Sequence, residues 1–300
     1  MKDDAPSATA NIVAQNIILI SNTPALSHLV APEAARLSSW FVQAFSANGD
    51  KFINRSRESW YQAVHKLYER LTIPGLALHQ AARKLHIEKL VRESLLDGFD
   101  QVVILGGGLD SLSLRLHQEF PQANFLELDH PATQRVKQRV VRERQLLGEN
   151  LKLVPVDFTK QTLEKCLAES VEFRPHAKTV FVCEGVLMYL ELNEIDTLFE
   201  VIRNQPGPGN RFVFTFMEPD KEGKTNFFNS TWLVHLWLKW KNEPFKWGIS
   251  REKIGEFVEA HGFSLQELAT DQTLRSLYLN SGELPKEVLA IGENICVCEC

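Results

Sequence analysis

Several features that would settle a function class are missing from this sequence. Cysteine is scarce, at five in 300 residues. An odd number of thiols scattered along a long chain gives no disulfide framework and points to a reduced protein. Cys296, Cys298 and Cys300 alternate in NICVCEC, but a zinc site wants a fourth ligand and wider spacing. They read as three thiols on one face of a terminal strand. The nine histidines are dispersed, with no H-x-x-x-H helical pair to hold a metal. No stretch is both long and apolar: IVAQNIILI is too short and too interrupted to span a bilayer. The opening MKDDAPSATA is too acidic for a signal peptide, so the expected compartment is the cytoplasm, without a membrane partner. Positive charge is not in excess, since the formal net charge is −5, which argues against a nucleic-acid partner. Arg135, Lys137, Arg139, Arg142 and Arg144 crowd one stretch and read as a solvated helix face.

What the chain does have is a well-marked stretch from 101 to 130. Val102, Val103, Ile104 and Leu105 form an apolar, mostly β-branched run, as in a strand buried on both faces. Gly106, Gly107 and Gly108 follow at once. Leu109, Leu112, Leu116 and Phe120 then recur at helical spacing up to Pro121. Phe125, Leu126 and Leu128 make a second strand that finishes in Glu127 and Asp129. A turn without Cβ atoms lets backbone amides approach a ligand, and the helix that follows points its positive end at the same place. A carboxylate about 20 residues further on can take both hydroxyls of an adenosine ribose. Dinucleotides and S-adenosylmethionine both carry that ribose. As a G-x-G-x-x-G fingerprint the turn is imperfect, because Ser111 holds its last position. Asp110 would also repel a pyrophosphate but tolerate a methionine ammonium.

Strands and helices alternate around this unit. Residues 33–46, 56–71 and 76–96 carry helical stripes, with Asn48-Gly49-Asp50 and Pro74-Gly75 as breaks and Gly98 after the third. Residues 1–32 are the least readable. After Asp129 come a helix from Pro131 to Leu147, a strand from Leu151 to Val156 ending at Asp157-Phe158, and a helix over 160–169. A strand from Thr179 to Cys183 ends at Glu184-Gly185, followed by a helix over 193–204 and a strand from Arg211 to Met217. Ser250 can cap a helix over 251–260; strands follow at 263–268 and 295–300, with a turn or short helix over 286–292. This is an α/β chain with a mostly parallel sheet, and its acids stand at strand C-terminal ends, where such sheets bind ligands. The first 98 residues read as a helical cap and residues 99–300 as the nucleotide-binding domain. The insert at 219–249 holds four of the six tryptophans, Trp232, Trp237, Trp240 and Trp247, beside Phe227, Phe228 and Phe245. It reads as an aromatic lid over an apolar substrate pocket, or as packing against the N-terminal helices.

VVILGGGLDSLSLRL, FLELDHP, VPVDF and VFVCEGVLMYL together resemble the successive motifs of the leucine carboxyl methyltransferase family. The resemblance runs from about Arg83 to about Glu218. Members often read G-A-G-L-D-x-R at the turn; here Leu112 replaces the arginine. The resemblance implies a Rossmann-like class I methyltransferase fold of seven strands, the last inserted antiparallel at the sheet edge, and S-adenosylmethionine as cofactor. By position, Gly106 and Gly108 shape the cofactor turn. Asp129 takes the ribose, with Glu127 as its rival on the same strand face. Asp157 accepts from the adenine amine while Phe158 stacks on the ring, and Glu184 accepts from the methionine ammonium. By resemblance alone, Arg83 grips the methionine carboxylate and Tyr189 lies near the reacting methyl.

The expected reaction is O-methyl transfer to a carboxylate of a small molecule or peptide. A carboxylate is already ionised at neutral pH, so no base and no triad is required. A hydroxyl acceptor would need a base, for which His79 and His235 are the candidates. Two other readings share part of the pattern: a nicotinamide-dependent oxidoreductase, which leaves VPVDF and EGVLMYL unexplained, and a non-catalytic cofactor-binding or interaction module.

Overall fold

A computed structural model of the chain describes residues 5–231, 245–279 and 287–300. Seven strands form one sheet: β1 (Gln101–Leu105), β2 (Asn124–Asp129), β3 (Leu151–Pro155), β4 (Thr179–Cys183), β5 (Asn210–Met217), β6 (Ser264–Ala269) and β7 (Glu293–Glu299). Their spatial order is β3-β2-β1-β4-β5-β7-β6. The first five pair in parallel, and β7 runs antiparallel to both β5 and β6. The seventh strand is therefore antiparallel, but it lies inside the sheet and not at its edge. Burial explains this. Ile295 and Val297 fill one face of β7 and Cys296 and Cys298 the other, and an edge strand would leave that apolar surface and a row of amides uncovered. β6, whose first three residues are exposed, takes the edge. Of the three alternating thiols, Cys296 and Cys298 share the buried face and Cys300 lies exposed beyond the strand.

Strand periodicity divides the core into two layers. Val102, Ile104, Val180, Val182 and Val213 face one layer of helices: α1 (Ala8–Ser21), α2 (Pro32–Phe45), α5 (Leu76–Leu96), α6 (Leu112–Glu119) and α7 (Pro131–Glu143). Val103, Leu105, Phe181, Phe212 and Phe214 face the other: α8 (Leu163–Glu169), α9 (Leu192–Arg203) and α10 (Ile254–Ala260). A last helix, α11 (Asp271–Tyr278), packs against α5 and β6. The N-terminal helices thus complete one layer of the sandwich, and α5 lies directly on the sheet.

Local chemistry sets the element ends. Ser7, Thr162 and Thr270 accept from backbone amides at the starts of α1, α8 and α11. Pro131 opens α7, and the His130 side chain accepts from Ala132 N. Gly98, at φ +87°, follows α5. Helix α3 (Gly49–Ser56) starts where Asn48-Gly49-Asp50 suggested only a break, and α4 (Ser59–Leu71) follows it. α7 ends at Glu143, four residues before the expected Leu147, next to Gln145 at φ +54°. α10 begins at Ile254 rather than 251, since Arg251 is drawn away to Glu218, Nη2 to Oε1 at 2.7 Å. The apolar stripe of α4, Trp60, Val64, Leu67 and Leu71, faces outward, each residue more than half exposed. Trp232, Trp237 and Trp240 of the expected lid lie outside the described residues.

Candidate active site

The site is built at the C-terminal ends of β1, β2 and β4. Gly106 (φ +71°) and Gly108 (φ +54°) both hold left-handed backbone. A Cβ on Gly106 would stand 2.5 Å from Val186 Cγ2, and one on Gly107 would stand 2.6 Å from the Glu127 carboxyl carbon. The turn is thus fixed by close packing on two sides as well as by backbone conformation. A Cβ on Gly108 would reach 3.1 Å from Ala10 Cβ, so α1 rests directly on the turn. Ser7 N donates to Thr133 Oγ1 of α7 at 3.0 Å and ties the start of α1 across the same region.

The two acids of β2 part company. Glu127 is fully buried beneath the turn, where its Oε1 accepts from Lys137 Nζ at 2.5 Å and its Oε2 from Ser113 Oγ at 2.6 Å. Lys137 is itself buried, so it is no part of a solvated face. The other four on the basic stretch, Arg135, Arg139, Arg142 and Arg144, are exposed as expected; of these, Arg139 donates to Ala44 O, and the Arg144 guanidinium lies 4.6 Å from the Trp40 ring centroid. Asp129 instead points into the turn, where Oδ2 accepts from Gly108 N at 2.5 Å and Oδ1 from His130 N at 2.6 Å. Burial raises its pKa to about 6 against the opposing hydrogen bond from His130, with Glu127 adding to the rise.

Asp157 closes the turn after β3. It accepts from Thr159 N at 3.0 Å and Thr159 Oγ1 at 2.6 Å, and pairs with Lys160 Nζ at 2.8 Å. The hydrogen bonds from Lys160 and Thr159 hold its carboxyl well below the usual range. Phe158 beside it is 45% exposed, which leaves a ring face open for stacking.

Arg83 and Glu184 come together across 101 residues. Arg83 Nε and Nη2 donate to Glu184 Oε1 at 2.9 and 2.7 Å. Lys84 Nζ reaches Glu184 Oε1 at 3.1 Å and Asp110 Oδ2 at 3.3 Å. Burial acts to raise the Asp110 pKa, but Lys84, Lys137 and Arg115 outweigh it and hold the group ionised. Acid and base groups, Arg83 buried and Lys84, Asp110 and Glu184 partly so, thus alternate beside the turn, a surface suited to a zwitterionic amino-acid end.

A family model described as leucine carboxyl methyltransferase matches residues 24–203. The chain belongs to that family. It is 28% identical to YktD of Bacillus subtilis (strain 168), named for S-adenosyl-L-methionine-dependent methyltransferase activity, over 67% of this chain and 66% of that protein. A relative with the same kind of name in Mycobacteroides abscessus is 30% identical over 50% of this chain and 46% of its own length. The chain therefore spans between about half and two thirds of these curated relatives. Their names support S-adenosylmethionine as the cofactor. A solved methyltransferase structure from Thermobifida fusca YX shares the fold with a TM-score of 0.57 at 15% identity, covering 79% of this chain and 87% of that one.

In this member of the leucine carboxyl methyltransferase family, Tyr189 follows Glu184 in a short 3-10 turn (Leu187–Tyr189). Its ring lies 5.5 Å from Phe245, which is 6.5 Å from Phe227. These rings and Met188, Met217 and Ala290 make a small separate apolar cluster. His79 borders it, its ring centroid 6.3 Å from Phe227. His235, the other base candidate, lies outside the described residues. Glu293 was missed by sequence reasoning. It opens β7 opposite Met217 and accepts from Arg83 Nη1 at 2.5 Å. No motif surrounds it; the only available signal was an acid at the start of a buried strand.

Proposed function

We propose that this chain is an S-adenosylmethionine-dependent O-methyltransferase that esterifies a carboxylate of a small molecule or a protein C-terminus. The observation that carries this reading is the Arg83–Glu184 pair beside the glycine turn. One member suits the cofactor carboxylate and the other its ammonium. Asp129 accepts from the ribose hydroxyls, Phe158 stacks on adenine, and Asp157 accepts from its amine. Gly106 and Gly108 let the backbone approach the methionine arm.

Transfer is an in-line displacement. An acceptor carboxylate oxygen forms a bond to the methyl carbon while the carbon–sulfur bond breaks. The sulfur keeps the electron pair, leaving a neutral thioether and a methyl ester. No proton moves, so the enzyme's task is to align the reactants and exclude water. The apolar cluster of Met188, Met217, Phe227 and Tyr189 suits the second part of that task.

Calorimetric titration with S-adenosylmethionine, S-adenosylhomocysteine and NADH tests the cofactor reading. The first two should bind in the micromolar range and the third should not. Transfer of a labelled methyl group to carboxylic acids then tests the acceptor. An ester releases the label as methanol in alkali, whereas a phenol ether does not. Alkali-stable label would move the acceptor to a hydroxyl, and cofactor binding without any transfer would favour a non-catalytic module.

A further inference from the structure

Arg83 is buried and has two partners among the described residues, Glu184 and Glu293. The two carboxylates use different edges of the guanidinium. Glu184 takes Nε and Nη2, and Glu293 takes Nη1. The Nε/Nη2 edge is one of those that docks a carboxylate in the bidentate fork geometry. In the structure, a protein acid stands where the cofactor carboxylate would dock. For the amino-acid end of the cofactor to be gripped, that pair must open, with Arg83 turning to the carboxylate and Glu184 to the ammonium. Something else must then hold the guanidinium in place.

Glu293 is built for that task. It is buried at the first position of β7, held by ladder pairing to Met217. Burial acts to raise its pKa, but Arg83 and His79 outweigh this and bring it to about 2, so it is a carboxylate throughout the working range. A carboxylate only accepts, so His79, whose Nε2 lies 3.2 Å from the same Oε2, donates from Nε2. His79 and Arg83 stand one turn apart on α5. One oxygen of Glu293 therefore takes both donors, while its Oε1 and His79 Nδ1 have no hydrogen-bond partner among the described residues.

Resting on the reading of Arg83 and Glu184 as the grip on the methionine end, we propose that Glu293 is a positioning residue for the cofactor. It anchors Arg83 through Nη1 while the cofactor carboxylate displaces Glu184 from the other edge, and it thereby frees Glu184 for the ammonium. Cofactor entry is an exchange of ion pairs around a fixed guanidinium.

The test compares two ligands that share the nucleoside and the thioether. S-adenosylhomocysteine carries the amino-acid end and 5′-methylthioadenosine lacks it. Glu293→Gln should weaken S-adenosylhomocysteine about tenfold, the scale of one charge-assisted hydrogen bond, and leave 5′-methylthioadenosine within about twofold. A merely structural role would lower both alike, and that result overturns the proposal, as does unchanged S-adenosylhomocysteine binding. Glu293→Asp keeps the charge and shortens the reach, so it should show the same selective loss if the Gln variant does not fold. A double-mutant cycle adds a readout independent of 5′-methylthioadenosine. On an Arg83→Lys background, Glu293→Gln should cost S-adenosylhomocysteine nothing further, whereas full additivity would overturn the proposal. Failure of the wild-type chain to bind S-adenosylhomocysteine would instead sink the functional reading beneath it.

Discussion

Two buried ion pairs flank the glycine turn, and they are built to opposite ends. Beneath it, Glu127 has both oxygens satisfied, one by Lys137 and one by Ser113, and all three residues are out of contact with solvent. Beside it, Glu184 is shared between Arg83 and Lys84, and Glu293 keeps one oxygen without a partner among the described residues. The first arrangement is sealed from solvent and holds the turn in shape. The second holds charges that can be traded. Charge type is alike in the two places, but depth is not: the Lys137 and Glu127 side chains are 0% and 1% exposed, those of Lys84 and Glu184 16% and 10%.

That contrast can be attacked at several points. The largest effect should come from Lys137→Met, which strands a buried carboxylate. We expect a loss of about 3–5 kcal/mol in unfolding free energy by denaturant titration. Lys137→Met with Glu127→Leu should recover much of it. A cofactor-only effect with no loss of stability would erase the distinction between the pairs.

Next in size is Asp129. Its carboxyl holds its proton to about pH 6 when folded, against an ordinary value of 3.8. The folded state therefore binds the proton more tightly, and this contribution to stability is full below about pH 4 and lost as pH rises to about 6. Asp129→Asn should remove this pH dependence, so that its stability relative to wild type is higher at pH 7 than at pH 4 by on the order of 2–3 kcal/mol, while the loss of one of the two acceptors for Gly108 N and His130 N costs it alike at both pH values. The same change should weaken S-adenosylhomocysteine more than tenfold at pH 7. Wild-type affinity should also fall as pH drops from 7 to 5, because a protonated Asp129 loses an acceptor for the ribose. Unchanged cofactor binding in the Asn variant would remove Asp129 from the site.

Glu184→Gln tests the tradable pair directly. It should cost about tenfold in S-adenosylmethionine affinity by calorimetry, with a melting temperature close to that of the wild type. A large fall in melting temperature would class this pair with the one beneath the turn. The smallest effect belongs to Asp157, already engaged by Thr159 and Lys160. Asp157→Asn should change affinity by a factor of about two to five, with no pH dependence between 5 and 8, since its carboxyl stays ionised there.

Much of the site could be read from local pattern, because strand, glycine turn, helix and acid follow one another within 30 residues. Gly106, Gly108 and Asp129 adjoin for that reason, Glu184 was placed by its position at the end of a strand, and the family resemblance brought in Arg83. The parts that escaped reading depend on partners distant in sequence. Glu293 meets Arg83 across 210 residues and no local signal marks it. Lys137 looked like one basic residue among five until its depth was known. Helix α1 was unreadable for a different reason: Asn16 and Leu19 are buried along with Ile17, Ile18 and Ile20. A helix covered on most sides has no polar stripe to give it a period. The interior place of β7 was likewise invisible, since nothing in a strand's own composition names its neighbours.

The position of β7 also imposes an order in time. In the sheet it separates β5 from β6, yet it is made after both. Until β7 has been made, β5 lacks its partner on that edge and β6 has no neighbour in the sheet. The residue that opens β7 is Glu293. The newborn protein can therefore assemble its glycine turn and the ribose acid early, but it acquires its second hold on Arg83 only in the step that closes the sheet.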